Sequence, residues 1–192
     1  MNTIILSGII KNIQFSHKID DIEYYKANLL VTRENGKEDL INLKFKKFSN
    51  QYKDGDKITL IGNVRTYSQR LVDRNKVEVY VFTYFDKPEE ELSNNVTLSG
   101  RICKKNALHK TKEGKDVLDF IIANKIEGQS LNCYIPCVAW GKQAKEIETL
   151  GLGKDIEVKG ELRSREYKKK INENNFEIRI AHEININEYM NF

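Results

Sequence analysis

The chain repeats itself, and that limits its folds more than any other feature. Leu6-Ser7-Gly8 in IILSGIIK recurs as Leu98-Ser99-Gly100 in VTLSGRICK, 92 residues later. The same offset carries LLVTR (29–33) onto IIANK (121–125). It also carries LINLKFKKF (40–48) onto NCYIPCVAW (132–140), which sets Phe48 on Trp140 and Asn42 opposite Tyr134. The offset then becomes 98, and GDKITLIGNVRT (55–66) falls on GKDIEVKGELRS (153–164). A constant shift over three blocks, followed by one insertion within KQAKEIETLGLG, implies two copies of one unit. The chain divides into a first unit at 1–85, an acidic linker at 86–94 (DKPEEELSN) and a second unit at 95–190.

Within each unit the hydrophobic period is two, which predicts strands. Ile41, Leu43 and Phe45 alternate with Asn42, Lys44 and Lys46. Ile58, Leu60 and Val64 alternate around Gly62, as Ile156, Val158 and Leu162 do around Gly160. A glycine at such a place marks a bulge or a sharp coil of the sheet. Val77, Val79 and Val81, and likewise Phe176, Ile178 and Ile180, predict a closing strand in each unit. Turns are expected at Asn35-Gly36, Asp54-Gly55, Glu113-Gly114 and Asn174-Asn175. Ala144, Ile147 and Leu150 share one face of a helix stopped by Gly151. The first copy has only SNQYKDGD there, room for a turn. Five coiled strands with a helix between the third and fourth describe an all-β Greek-key barrel, the OB-fold, twice in tandem. An SH3-like barrel, which lacks that helix position, is the runner-up.

Composition excludes several classes. Net charge is +4, from 32 basic and 28 acidic side chains, which permits a nucleic-acid partner without demanding one. No run is long and apolar enough to span a membrane. MNTIILSGIIKNIQF lacks an early cation and a cleavage pattern, so it does not read as a signal peptide, and a cytoplasmic protein is expected. Three cysteines are an odd count for a disulfide framework, and Cys103, Cys133 and Cys137 read as free thiols. Three scattered histidines leave little material for a metal site or a catalytic set. GLGKD (151–155) follows a helix, the wrong context for a phosphate-binding loop. No enzyme, metal or cofactor is expected.

Alternation also assigns faces. If Cys133, Ile135, Cys137 and Ala139 point inward, then Tyr134, Val138 and Trp140 point outward. If Ile156, Val158 and Leu162 point inward, then Arg163, Arg165, Tyr167 and Lys169 share the outer side of a long hairpin. Aromatic rings among cations suit single-stranded nucleic acid, whose bases stack while its phosphates meet the charges. Trp140 in the core, under the helix, is the opposing reading.

NVTLSGRICKK (95–105), LDFIIANK (118–125), CYIPCVAWGKQAKEI (133–147) and GKDIEVKGELRSREY (153–167) resemble the bacterial single-stranded DNA-binding protein family. The resemblance covers almost all of the second unit. It implies non-sequence-specific binding of single-stranded DNA in replication, recombination or repair, on four OB-folds. A two-fold chain reaches four as a homodimer. It places the stacking aromatics at Tyr134, Trp140 and Tyr167, and phosphate-binding cations at Arg101, Arg163 and Arg165, with Lys169 beside them. In the first unit the matching positions are Lys44, Lys46, Phe48, Arg65 and Tyr67. That unit is expected to bind more by charge than by stacking, or to serve as an assembly surface. Pro136 stands where the family often has a cation. The chain closes on NINEYMNF with only Glu188 acidic nearby, so recruitment through an acidic tip is expected to be weak or absent, as in a specialised or phage-type version. An OB-fold protein-interaction or RNA-binding module is the alternative function.

Overall fold

A computed structural model describes residues 1–47, 52–70, 75–88, 91–126, 132–170, 172 and 175–192. Phe48 and Asn174 lie outside them. The first unit contains β1 (Asn2–Ile19), β2 (Ile22–Thr32), β3 (Glu38–Lys46), β4 (Lys57–Arg70) and β5 (Asn75–Pro88). The second contains β6 (Asn94–Lys105), the two-residue β7 (His109–Lys110), β8 (Asp116–Lys125), β9 (Asn132–Trp140), α1 (Gly141–Thr149), β10 (Asp155–Lys170) and β11 (Phe176–Asn191). β5 therefore takes Asp86–Pro88 from the start of the acidic stretch.

Each unit closes on itself. β1 pairs with both β2 and β4, and the parallel pair β3–β5 shuts the first barrel. β6 pairs with β8 and β10, and the parallel pair β9–β11 shuts the second. This is the tandem OB-fold that the pattern predicts. The expected glycine bulges are present: the β4–β5 register shifts between Ile61 and Gly62, and the β10–β11 register between Lys159 and Gly160. A Cβ on Gly62 would lie 2.5 Å from the Phe82 carbonyl oxygen, and one on Gly160 would meet that of Asn185. The chain crosses too tightly there for any side chain.

The barrels are filled by the alternating residues. Ile4, Leu6, Leu29, Ile41, Phe45, Leu60 and Val81 fill the first, and Leu98, Ile122, Ile135, Ile156, Val158 and Ile184 the second. Ala144 and Ile147 of α1 are buried against the second. The helix ends without a basic residue of its own, and Lys105 from β6 supplies the charge. Its ammonium donates to the carbonyls of Glu148 (2.5 Å) and Leu150, which complements the negative end of the helix. Of the three cysteines, all expected as buried free thiols, only Cys133 and Cys137 are buried, and Cys103 lies exposed on β6; complete burial pushes the Cys137 thiol up, as suits an inert core residue.

Three details depart from the sequence reading. Phe176, Ile178 and Ile180 are exposed on the outer part of the β10–β11 hairpin, and Ile184 and Ile186 close the core instead. The hairpin runs on past the barrel, so its apolar alternation outlasts the surface it could cover. Val138 is buried although it shares a side with Tyr134 and Trp140. It forms part of a cleft floor beneath Arg165 and Glu183. Third, the repeat drifts between strands. Ile10 pairs with Leu29 as Ile102 pairs with Ile122, and Leu29 pairs with Ile41 as Ile122 pairs with Ile135. So Leu29 corresponds to Ile122, Leu40 to Tyr134 and Lys46 to Trp140. Asn42 therefore does not hold the place that a constant offset of 92 assigns to it. Loops absorb one residue before β8 and another before β9, so identity of letters misleads where burial parity does not.

The two barrels join through β1 and β6, which pair antiparallel with Ile4 opposite Val96. These two are each other's counterparts in the repeat, so the junction is symmetric about them. Asn2 bonds Val64 through its side chain (Nδ2 to the carbonyl at 2.8 Å, N–H to Oδ1 at 2.9 Å), and Asn94 bonds Leu162 in the same way. The Leu40 N–H donates to Ser164 Oγ at 3.2 Å, and the Tyr134 N–H to Thr66 Oγ1 at 3.0 Å. One feature breaks the symmetry. Asp39 is fully buried, takes a bidentate bond from Arg33 at 2.6 Å and also accepts from the Ser164 N–H at 2.6 Å.

Candidate nucleic-acid interface

Trp140 is the last residue of β9, where the chain turns into α1 through Gly141 at φ 56°. Its ring is half-buried. The indole Nε1–H donates to Asn185 Oδ1 on β11 at 2.9 Å. That bond satisfies the polar edge and fixes the ring plane. Lys115 holds its ammonium 5.4 Å from the ring centroid. Trp140 is therefore neither a core plug nor a loose surface ring. It is an anchored, half-buried ring beside a cleft that Arg163 and Arg165 also line.

The outer face of the β10–β11 hairpin carries the expected row. Arg163 pairs across the strands with Glu183, Arg165 with Ala181, Tyr167 with Arg179 and Lys169 with Glu177. Tyr167 is partly open, and the Arg165 guanidinium lies 5.9 Å from its ring centroid. The arginines are not free. Arg163 bonds Glu161 at 2.8 Å and Arg165 bonds Glu183 at 3.2 Å, and the Glu183 bond raises the Arg165 pKa. A phosphate would have to displace a carboxylate from each. Arg101 is elsewhere, ion-paired with Asp155 at 3.2 Å beside a crevice lined by Met1, Asn124 and Phe192.

The structure also separates Tyr134 from Trp140. Tyr134 is exposed at the start of β9, where its backbone docks on Thr66 in the first unit's hairpin. Thr66 is flanked in sequence by Arg65 and Tyr67. The outer face there is aromatic as well as basic. Lys44 Nζ sits 4.0 Å from the Tyr80 ring centroid and 5.4 Å from that of Tyr67, and it also bonds Glu78 at 2.9 Å. Arg65 lies 4.1 Å from the Phe82 ring centroid. Lys46 is exposed and forms no ion pair among the described residues. By strand order Phe82 corresponds to Asn185. The first unit thus keeps a ring at this spot but grows it from β5, with Lys46 where the second unit has its tryptophan. Tyr80 and Phe82 were not legible as surface rings, because they interleave with core Val79, Val81 and Thr83 in a strand that reads as uniformly apolar.

Two OB-folds showing rings and cations on their outer strands define a tandem OB-fold protein of the oligonucleotide-binding kind. The model of the single-strand binding protein family matches residues 93–188. The chain belongs to that family, whose members are binding proteins rather than enzymes. Among solved structures, a deletion mutant of the single-stranded DNA binding protein from Thermus aquaticus superposes with a TM-score of 0.77 at 18% identity, over 100% of this chain and 94% of that one. The wild-type Thermus aquaticus protein gives 0.76 at 18% identity, over 100% and 92%. Both likenesses concern the fold, and they extend it across both units. No curated protein matches the chain. No helix among the described residues is long and apolar enough to cross a membrane.

Proposed function

We propose that this protein binds single-stranded DNA without sequence preference, in the cytoplasm, and protects it during replication, recombination or repair. The observation that carries the reading is Trp140. An indole held at its edge by Asn185, beside a cleft lined by Arg33, Arg163 and Arg165, suits the flat face of a base and the phosphates next to it. Tyr134 and Tyr167 are the further stacking rings. Arg163, Arg165 and Lys169 are the phosphate contacts on the second unit, with Lys44, Lys46, Arg65 and Tyr67 on the first. Arg101 contacts a strand only if that strand continues around the β6 side. The chain acts as a homodimer presenting four barrels. Exposed Ile5 and Phe85 on the outward side of the joined sheet support a partner there.

The test is the affinity of labelled oligo-dT compared with duplex DNA, for the parent protein and for Trp140→Ala. The expected result is tight binding of oligo-dT only, weakened about tenfold or more by the substitution, since one base–aromatic stack is worth roughly 1–3 kcal/mol. Equal affinity for both, or an inert substitution, contradicts it. A protein-interaction or RNA-binding module is the second reading. The pairing of Arg163, Arg165 and Arg101 with carboxylates favours it. No affinity for oligo-dT, or a marked preference for structured RNA, selects it.

A further inference from the structure

The cleft beside Trp140 does not stay within the second barrel. It encloses about 790 Å³, and its walls come from both units. Trp140, Arg163 and Arg165 belong to the second, and Leu30, Leu40 and Lys37 to the first. The two walls are tied together by the Leu40 N–H bond to Ser164 Oγ and by buried Asp39, which holds Arg33 and the Ser164 backbone at once. The cleft is therefore a fixed feature of the junction.

Its cations are not equivalent. Arg33, Arg163 and Arg165 are each committed to a carboxylate, Asp39, Glu161 and Glu183 respectively. Lys37 is exposed just after the Asn35-Gly36 turn and forms no ion pair among the described residues. Among the described residues it is the one cation lining this cleft that meets a phosphate without first giving up a partner. Glu38 and Glu166 line the cleft too and work against it. Resting on the single-stranded DNA reading above, we propose that Lys37 of the first unit takes a phosphate of the strand stacked on Trp140 of the second, where that strand crosses the junction. The repeat supports this path. The equivalent docking on the other side of the junction ties the Tyr134 backbone of the second unit to Thr66 of the first. The start of each barrel's third strand is thus held by the hairpin of the other.

Trp140 is itself the reporter. Oligo-dT is titrated against intrinsic fluorescence at several salt concentrations, for the parent, Lys37→Gln, Lys37→Arg and Glu38→Gln. All three substitutions fall at exposed positions of a turn or strand end, and thermal melts confirm the fold. The expected result is that Lys37→Gln weakens binding about threefold to tenfold at low salt. It also lowers the slope of log K against log salt by about 0.7, the loss of one phosphate contact on a single strand. Lys37→Arg keeps the slope and Glu38→Gln tightens binding. Unchanged affinity and slope in Lys37→Gln, with Trp140 still quenched, overturns the crossing while leaving single-strand binding intact. Failure of any single strand to quench Trp140 in the parent overturns both.

Discussion

The Tyr134 N–H donates to Thr66 Oγ1 at 3.0 Å, and the Leu40 N–H donates to Ser164 Oγ at 3.2 Å. These are one contact made twice, related by the pseudo-twofold axis through Ile4 and Val96. It means that the start of each barrel's third strand is held by the hairpin of the other, so the exposed Tyr134 of the second unit is anchored through its backbone to the first.

Tyr134→Ala is therefore expected to weaken oligo-dT binding about tenfold, from the loss of one stack. Tyr134→Phe is expected to bind like the parent, because the backbone bond to Thr66 and the ring both survive. Fluorescence anisotropy with labelled oligo-dT measures both.

Asp39 locks the other side of the junction. Burial alone would raise its carboxyl, but the Arg33 guanidinium and the Ser164 N–H outweigh burial and hold it below the usual carboxylate range. A lowered folded-state pKa stabilises the protein above the unfolded value near 4, and that contribution is lost as pH falls through the folded value. The melting temperature of the parent should drop as pH falls below about 4. Asp39→Asn should cost about 3 kcal/mol at pH 7, by leaving Arg33 without its charge partner, and should flatten this part of the acid profile. Calorimetry across pH reads both.

Gly160→Ala tests the bulge. Its Cβ would meet the Asn185 carbonyl oxygen, backbone that cannot swing aside. The expected cost is about 1–3 kcal/mol in urea unfolding, the range for overpacking a tight site. Because the Asn185 side chain holds Trp140, the emission of the indole should change as well.

Asn185→Leu removes the acceptor of the indole N–H without opening a cavity. An unsatisfied buried donor costs about 1–3 kcal/mol, less here because the ring is only half-buried. The variant should melt slightly lower. It should bind oligo-dT several-fold more weakly, since its tryptophan is no longer pre-oriented.

Strand alternation and the Leu-Ser-Gly repeat were enough to read two OB-folds, their glycine bulges and the helix over 142–150. Those features are local: a period of two, a glycine in phase with core residues, and apolar positions three apart. The hairpin row Arg163, Arg165 and Tyr167 was legible for the same reason. What escaped depends on contacts between strands distant in sequence. The drift that seats Lys46 in the place of Trp140 shows in the pairing of β2 with β3 and of β8 with β9. The carboxylates opposite the arginines are mostly cross-strand or cross-loop neighbours. Lys37 follows an ordinary Asn-Gly turn, and nothing near it in sequence says that the other barrel stands opposite. Tyr80 and Phe82 were hidden by their core neighbours.

Single-strand binding as proposed here requires a base to stack on Trp140. Its fluorescence during titration with oligo-dT, at low and at moderate salt and with duplex DNA as control, tests this most directly. Strong quenching by oligo-dT alone is expected, and it should survive moderate salt, because stacking does not depend on counterions. Unchanged emission, or binding that vanishes entirely at moderate salt, would contradict it and leave charge as the only attraction.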